Sequence, residues 1–333
     1  PIKGEFVFEF CNGDVVGPWG PAVSYNRIDW NWAGSSSRLS PSSFSYTFDG
    51  TEKEIYFCFS IPYQLEDFER FYRNYSNVSH VERKVLAISE RGRQVPLILI
   101  GNPDAKKHIF LTCRHHACES VASYVLEGLL DCVINNVKSI TCKSKAYKNY
   151  QFHVVPFIDL DGVEDGEQGK GRHPHDHNRD YIDEPIYNST SALMEYAREK
   201  KPEIFLDLHC PWKWGDGDDI SSQRNNHVFL MKRMSPIKEE IERLSSCLHE
   251  ITLNEPDPSR VIYNGKYDMS VGEDWFKPET PCSTSFFEKI GARISATCEY
   301  TYFGTKDMKI NQKNSRSFGR NLAMALEEYI EKY

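Results

Sequence analysis

The sequence predicts an α/β domain with a mixed, mostly parallel sheet flanked by helices, preceded by a small all-β, sandwich-like domain. After Pro62, strand patterns alternate with helix patterns, which is typical of a sheet whose strands are joined by helices. Residues 1–62 hold only strand-like stretches and are rich in aromatic residues, serine, glycine and proline. The 333 residues have room for two domains, and we expect these at 1–62 and 63–333.

The individual elements follow from the spacing of the apolar residues. Alternating or short apolar runs predict strands at 5–10, 54–59, 85–89, 94–100, 108–113, 151–158, 203–208, 226–231 and 293–299. Helical spacing predicts helices at 65–72, 119–133, 191–200 and 236–252, and a C-terminal helix marked by Phe318, Leu322, Leu326 and Tyr329. The helix at 236–252 has the clearest pattern, because its aliphatic residues recur every three or four positions on one face.

Composition argues against several classes of partner. The formal net charge is -8, whereas phosphate binding requires a basic patch, so we expect no nucleic-acid partner. No apolar run reaches membrane-spanning length, so we expect no membrane partner. None of the ten cysteines forms a C-x-x-C pair, which argues against a zinc finger. Several of them lie inside apolar segments, as buried free thiols usually do, which favours a reducing, cytoplasmic compartment.

No signal peptide is visible, but the chain begins with proline, so a preceding segment could have been removed.

The strongest chemical signal is a histidine and a glutamate between a predicted buried strand and the following helix. His116 and Glu119 are three residues apart, so both side chains can reach one ion from a helical turn. Two histidines and a glutamate form a known catalytic zinc ligand set that leaves one position open. His209, at the end of the predicted strand 203–208, supplies the second histidine. Two alternatives stay open at this point: His115 in place of His116, and a purely structural His209.

Two further regions carry candidate polar residues. The predicted strand 151–158 is followed by a long polar loop that contains Arg172 and Arg179, whose planar guanidinium groups can bind a carboxylate through two hydrogen bonds. The same loop has an H-x-H-x-H pattern, for which surface or supporting roles are favoured over a second metal site (His173, His175 and His177). Glu299 ends the predicted strand 293–299 and could act there as a general base or as a surface residue.

The order of these motifs resembles the zinc metallocarboxypeptidase family, which has the pancreatic-carboxypeptidase-like fold. The motifs are R-x-H-x-x-E at 114–119, D-G-V at 161–163, N-R-D-Y at 178–181, D-L-H at 207–209 and T-x-E at 297–299. The branch that looks most similar is the cytosolic-carboxypeptidase-like one, whose members carry an all-β module before the catalytic domain. The resemblance covers nearly the whole chain and therefore supports the predicted two-domain order.

The resemblance also implies a role for each matching residue. It implies that one zinc ion per chain is bound by His116, Glu119 and His209, and that Glu299 is the catalytic glutamate. It implies that Arg172 polarises the carbonyl of the scissile bond. The residues implied to contact substrate are Asn178 and Arg179, which hold its terminal carboxylate, and either Tyr263 or Tyr267 as the family's mobile tyrosine.

The implied function is hydrolysis of the C-terminal peptide bond of a peptide or protein by a zinc-bound water that the glutamate activates. This sequence departs from the family pattern at 117–118, where Ala-Cys replaces Pro-Gly, and at 159–160, where Asp-Leu replaces Asn-Pro. One alternative is a desuccinylase- or aspartoacylase-like zinc amidohydrolase acting on N-acyl amino acids. The other is a non-catalytic peptide-binding module. The sequence does not define the side-chain preference, the oligomeric state or the physiological substrate.

Overall fold

A computed structural model describes residues 2–138 and 144–333 of the chain. The strands are β1 (Gly4–Glu9), β2 (Ala22–Ser24), β3 (Asn31–Trp32), β4 (Ser43–Phe48), β5 (Tyr56–Cys58), β6 (Val81–Ile88), β7 (Gln94–Gly101), β8 (Lys107–Cys113), β9 (Tyr150–Val155), β10 (Ile204–His209), β11 (Phe229–Lys232), β12 (Met269–Ser270), β13 (Ile294–Glu299), β14 (Gly304–Thr305) and β15 (Met308–Lys309). The α-helices are α1 (Leu65–Tyr72), α2 (Val121–Lys138), α3 (Lys145–Asn149), α4 (Leu160–Asp165), α5 (Asn188–Lys200), α6 (Ile220–Arg224), α7 (Ile237–Asn254), α8 (Ser283–Lys289) and α9 (Gln312–Lys332). Short 3-10 helices lie at Ser35–Ser37, His177–Arg179 and Gly265–Tyr267.

The centre of the molecule is an eight-stranded mixed sheet in the order β12-β11-β13-β10-β8-β9-β7-β6. The four strands in its middle, β13, β10, β8 and β9, run parallel to one another. Strands β11 and β7 pair antiparallel with the two ends of this parallel block. The predicted α/β class with a mixed, mostly parallel sheet is therefore confirmed.

The middle strands are apolar along their whole length because helices cover both faces of the sheet. Every residue of β10 and β13 is buried. Helices α2 and α9 pack closely at Gly128 and Gly319, where an added Cβ atom would collide with the carbonyl oxygens of Arg316 and Val125. Within the described residues, we find no helix long and apolar enough to cross a membrane.

The N-terminal region contains two small sheets, β1-β4 and β3-β2-β5. The predicted all-strand character of this region is confirmed, apart from one 3-10 turn. Its aromatic side chains also bond to the end of the sheet domain: Trp19 Nε1 donates to the carbonyl oxygen of Phe303 at 2.9 Å, and Trp32 Nε1 donates to that of Ile310 at 2.7 Å. The proposed boundary at residue 62 stays a prediction.

Two predicted boundaries differ from the structure near the candidate site. The helix predicted from residue 119 begins at Val121, because residues 114–120 form an irregular loop in which the Glu119 amide donates to the carbonyl oxygen of His116 at 3.2 Å. The strand predicted to end at residue 158 ends at Val155, because the chain then leaves the sheet and the Asp159 amide donates to the carbonyl oxygen of Arg114 at 2.9 Å. Both deviations bring polar residues onto the carboxyl edge of the sheet.

Eight cysteines in the described residues are free thiols: Cys11, Cys58, Cys113, Cys118, Cys210, Cys247, Cys282 and Cys298. Five of them are buried, as the sequence predicts for thiols inside apolar segments: Cys113, Cys210, Cys247, Cys282 and Cys298. Cys142 lies outside the described residues.

Candidate active site

Three adjacent parallel strands carry the candidate residues to one edge of the sheet. His209 is the last residue of β10 and lies opposite Glu299, the last residue of β13. The other neighbour of β10 is β8, which leads directly into the loop with His116 and Glu119. The carboxyl ends of parallel strands meet at the same edge, where α/β proteins bind their ligands. The topology therefore brings together four of the predicted residues.

His116, Glu119 and His209 form one buried cluster. Candidate ligand atoms of the three side chains all lie within 4.8 Å of one another. His116 Nδ1 is 2.8 Å from Glu119 Oε1, and His209 Nδ1 is 2.8 Å from Glu119 Oε2. All three residues are buried, and Glu119 is 1% exposed. The expected convergence of these residues is therefore present, although through a loop and not through the helical turn that the spacing predicted.

The donor atoms of this cluster fit a divalent cation. Glu119 Oε2 has no hydrogen-bond partner among the described residues, because its contact with His209 Nδ1 lacks hydrogen-bond geometry. A buried carboxylate oxygen without a partner is costly, and a bound cation would remove that cost. Two imidazoles and one carboxylate also match the ligand preference of zinc.

Carboxylates behind both histidines orient the imidazole rings. His116 Nε2 is 3.6 Å from Asp176 Oδ1, and His209 Nε2 is 2.9 Å from Asp207 Oδ2. A carboxylate at Nε2 favours the tautomer with its proton on that nitrogen, which leaves the Nδ1 lone pair free for a metal. The pKa of Asp207 is lowered, because its contacts with His115 and His209 outweigh the opposite effect of burial.

His115 has a different environment from His116. Its Nδ1 is 2.9 Å from Asp207 Oδ1, and its Nε2 is 2.7 Å from the hydroxyl oxygen of Tyr181. With both ring nitrogens occupied, His115 fixes Asp207 in place. His115, Asp207 and His209 also lie close enough to hold an ion, but that group shares His209 with the cluster described above.

Glu299 is buried beside the cluster and is 4% exposed. Its Oε2 atom has no hydrogen-bond partner among the described residues. Burial raises the pKa of Glu299 to about 7, and the nearby His209 and Lys170 act in the opposite direction. A divalent cation in the cluster would lower this pKa, because it favours the charged carboxylate. A carboxyl group that exchanges protons near neutral pH is suited to general acid–base chemistry.

The two predicted cations on the polar loop lie in different surroundings. The guanidinium of Arg172 forms ion pairs with Asp159 Oδ2 at 2.7 Å and with Glu167 Oε2 at 2.6 Å. Arg179 has no carboxylate within 4.0 Å in the described part of the chain, and its Nη1 donates to the carbonyl oxygen of Asn178 at 3.3 Å. Of these two arginines, Arg179 is therefore the one whose guanidinium group can still bind a substrate anion.

Asn178 is held beside Arg179 by the start of helix α8. Its Oδ1 atom accepts a hydrogen bond from the Ser283 amide at 3.0 Å. The 3-10 helix His177–Arg179 that carries both residues is capped by Asp176, whose Oδ1 accepts from the Asn178 amide at 3.0 Å. Asp176 therefore links the loop of Asn178 and Arg179 to His116.

Comparison with known proteins supports one family. A family model described as zinc carboxypeptidase matches residues 66–205, which include His116, Glu119, Arg172, Asn178 and Arg179. Cytosolic carboxypeptidase 6 of Caenorhabditis elegans is 28% identical over 183 residues, which are 50% of this chain and 39% of that protein. Cytosolic carboxypeptidase 3 of Bos taurus is 21% identical over 318 residues, which are 87% of this chain. These matches support the zinc carboxypeptidase family for this chain.

Solved structures show the same fold. A metallo-carboxypeptidase from Burkholderia cenocepacia superposes with a TM-score of 0.76 over 98% of this chain and 85% of that one, at 17% identity. A metallo-carboxypeptidase from Pseudomonas aeruginosa, in complex with (2-guanidinoethylmercapto)succinic acid, gives 0.73 over 98% of this chain and 86% of that one, at 18% identity. The curated relatives are longer, since this chain covers only 39% of the worm protein and 29% of the bovine one.

The structure places the two candidate tyrosines away from solvent. Tyr263 is fully buried; its hydroxyl donates to Asp268 Oδ1 at 2.6 Å and lies 2.6 Å from Ser245 Oγ. The ring of Tyr267 stacks on His227 with centroids 3.9 Å apart. Contact between either tyrosine and a substrate would require a rearrangement, so the choice between them stays a prediction.

The three loop histidines are dispersed. His175 Nε2 is 2.6 Å from Asp180 Oδ1, His177 stacks on Tyr187 with centroids 3.7 Å apart, and His173 is exposed. Among the described residues they form no shared metal-binding group. This agrees with the preference for surface or supporting roles.

Sequence reasoning assigned no role to Lys170, Asp176 or Asp207. Asp207 could have been noticed, because it is a carboxylate two positions before His209 on an apolar strand, and residues i and i+2 share a face of the sheet. Lys170 and Asp176 lie in a loop without periodicity, so only the three-dimensional structure shows that they approach the cluster. Burial opposes the charge of Lys170, but the Glu119 carboxylate raises the pKa of Lys170 and keeps it protonated.

Proposed function

We propose that this chain is a zinc-dependent metallocarboxypeptidase that removes the C-terminal residue of a peptide or protein. The observation that supports this most strongly is the convergence of His116, Glu119 and His209 beside the buried Glu299. A metal-binding group next to an acid–base group is suited to metal-assisted hydrolysis of a peptide bond.

His116, Glu119 and His209 would hold one zinc ion per chain, with Asp176 and Asp207 fixing the histidine rings. Zinc bound there supplies Lewis-acid chemistry, which acidifies water and polarises a carbonyl group. The remaining steps can be assigned to side chains of this protein.

Glu299 is the proposed general base and acid. Its carboxylate takes a proton from the attacking water and later delivers that proton to the leaving amine. Burial keeps competing water away from Glu299 and raises its pKa, which opposes the lowering that a bound cation would cause. The register of β10 and β13 fixes Glu299 next to His209.

Asn178 and Arg179 are proposed to bind the terminal carboxylate of the substrate. Arg179 has no carboxylate partner among the described residues and can therefore accept one from a ligand, with two hydrogen bonds in a plane. Such a clamp restricts cleavage to the last residue of a chain. The resemblance further implies that Arg172 stabilises the carbonyl oxygen. Arg172 also forms ion pairs with Asp159 and Glu167.

The names of the curated relatives favour a cytoplasmic location and a protein or peptide substrate. Because those relatives are more than twice as long as the matched region, their activities come to this chain only as part of this proposal. The side-chain preference is left for experiment.

A peptide panel tests the proposal directly. Zinc-loaded protein is incubated with N-blocked dipeptides that vary in the last residue, with their C-terminally amidated forms, and with N-acyl amino acids. We expect release of the last amino acid from free-acid dipeptides, little release from amides, and loss of activity after chelation that zinc restores. Cleavage of N-acyl amino acids alone would identify an amidohydrolase, and zinc binding without any turnover would indicate a binding module.

A further inference from the structure

A lysine that no sequence motif identified lies inside the cluster. Lys170 Nζ is 2.8 Å from Glu119 Oε1 and donates to the carbonyl oxygen of Cys210 at 3.1 Å. Cys210 directly follows His209, so Lys170 contacts the segments that carry two of the three proposed ligands. Its side chain is 25% exposed. Lys170 is therefore a mostly buried cation at the metal-binding edge of the sheet.

The backbone holds Lys170 firmly at this place. The preceding Gln168 accepts a hydrogen bond through its carbonyl oxygen from the Cys118 amide at 3.0 Å, which ties the polar loop to the loop of His116 and Glu119. Gly169 has a φ of +85°, and an added Cβ atom there would collide with the backbone nitrogen of Ala117. Only glycine allows this close approach without strain, so the position of Lys170 follows from the local fold.

Arg172, the cation implied by the resemblance, is less available. Its guanidinium is shared between Asp159 and Glu167, at 2.7 and 2.6 Å, and these two carboxylates together outweigh its single charge. Gly162 packs against the same guanidinium and leaves no room there for a side chain. Arg172 therefore has the environment of a residue that holds the polar loop together.

We propose that Lys170, and not Arg172, is the cation that binds the carbonyl oxygen of the scissile bond and stabilises the negative charge that develops on it. This inference rests on the proposed carboxypeptidase function. An ammonium group has three N–H donors, and Glu119 and Cys210 account for two of them, which leaves the third for a substrate oxygen. Lys170 also interacts electrostatically with Glu299.

The competing explanation is that Lys170 only neutralises Glu119. The two explanations differ in what they predict for ligand binding. A cation that binds the developing oxyanion contributes to the affinity for a tetrahedral anionic analogue of the reaction and to kcat. A cation that only balances the charge of Glu119 affects zinc affinity and leaves both of those quantities unchanged.

The test compares Lys170→Met, Lys170→Arg and Arg172→Gln in the full chain. The probes are the best N-blocked dipeptide from the panel and the phosphonate in which a tetrahedral phosphorus group replaces its scissile amide. For Lys170→Met we expect a fall in kcat/KM of about 10²–10³-fold, carried mainly by kcat, and a parallel loss of phosphonate affinity by calorimetry. Zinc content should stay at one per chain, and Lys170→Arg should restore part of both losses.

For Arg172→Gln we expect a loss of thermal stability. Its fall in kcat/KM should be at least tenfold smaller than that of Lys170→Met. Lys332→Met, the same change at an exposed lysine of α9, controls for loss of a positive charge. The inference would be overturned if the Lys170→Met protein bound one zinc per chain and kept the phosphonate affinity of the wild type. It would also be overturned if the Arg172→Gln protein folded normally but lost kcat and phosphonate affinity. If Lys170→Met fails to fold, Lys170→Gln gives the same comparison. A wild-type protein that binds zinc but cleaves no dipeptide would reject the carboxypeptidase proposal itself.

Discussion

Two buried polar clusters lie beside the central sheet, and their hydrogen bonding differs. Asp268 accepts from the Tyr263 hydroxyl at 2.6 Å, from the Leu230 amide at 2.9 Å and from the Ser245 hydroxyl at 3.1 Å, so both of its oxygens have partners. Glu119, which is equally inaccessible, faces His209 without a hydrogen bond at Oε2. The complete set of partners at Asp268 is typical of a structural role, whereas the open oxygen of Glu119, between two histidines, is where a bound cation would complete the coordination.

The largest expected effect is the loss of kcat on substitution of Glu299, which we do not expect for another buried glutamate. Glu299→Gln removes the proposed proton acceptor, so we expect kcat to fall by roughly 10²–10⁴-fold while zinc stays bound. The matched control is Glu127→Gln, since Glu127 is also buried but bonds to Tyr63 and Arg316. Kinetics with metal analysis measure both variants, and retained turnover in Glu299→Gln would exclude the assigned base.

The next effect concerns the cation without a carboxylate partner. Arg179→Ala should raise KM for free-acid dipeptides by roughly 10–100-fold, because a charge-assisted contact of about 1.5–3 kcal/mol is lost. Amidated substrates lack the carboxylate and serve as the control, for which we expect little change. Equal increases for acids and amides in steady-state kinetics would remove the carboxylate-clamp role.

A smaller effect is expected behind the metal-binding cluster. Asp207→Asn weakens the contact that orients His209, so the zinc dissociation constant should rise by about 10–100-fold. A competition titration with a chelating dye measures this constant, and thermal unfolding after chelation monitors the fold in parallel. Unchanged zinc affinity in a folded variant would show that Asp207 supports only the fold.

The smallest expected effect on kcat is that of a substitution in the cluster of Tyr263, Ser245 and Asp268. Tyr263→Phe leaves Asp268 without one partner, so the free energy of unfolding should fall by about 1–3 kcal/mol. Zinc content and kcat should stay within about twofold of wild type, because the Tyr263 hydroxyl is buried away from solvent. Denaturant unfolding and the dipeptide assay give the two numbers, and a large loss of kcat would show instead that Tyr263 reaches the substrate.

The elements with a local cause were the predictable ones. Helix α1 has the predicted bounds, Leu65–Tyr72, since its apolar spacing and its Gln64–Asp67 capping interaction are encoded within a few residues. The strands β8, β10 and β13 follow from apolar runs of the right length. The adjacency of these strands in the sheet, which brings their terminal residues together, does not follow from the apolar runs themselves.

The remaining features depend on contacts between segments that are distant in sequence. Helical spacing suggested the wrong backbone for His116 and Glu119, which lie in a loop held by Gln168 and Asp159. The burial of Tyr263 arises from its packing with Ser245 and Asp268, which a motif match cannot reveal. Such contacts are set by tertiary packing and leave no periodic signal in the sequence.

The close approach of α2 and α9 has a consequence for any truncated version of this protein. Helix α2 starts two residues after Glu119, and its Gly128 lies directly on the backbone of α9. Deleting the last twenty residues would therefore remove the surface on which helix α2 packs, and α2 directly follows the loop of His116 and Glu119. We therefore expect such a truncation to reduce zinc binding, although every proposed ligand is retained.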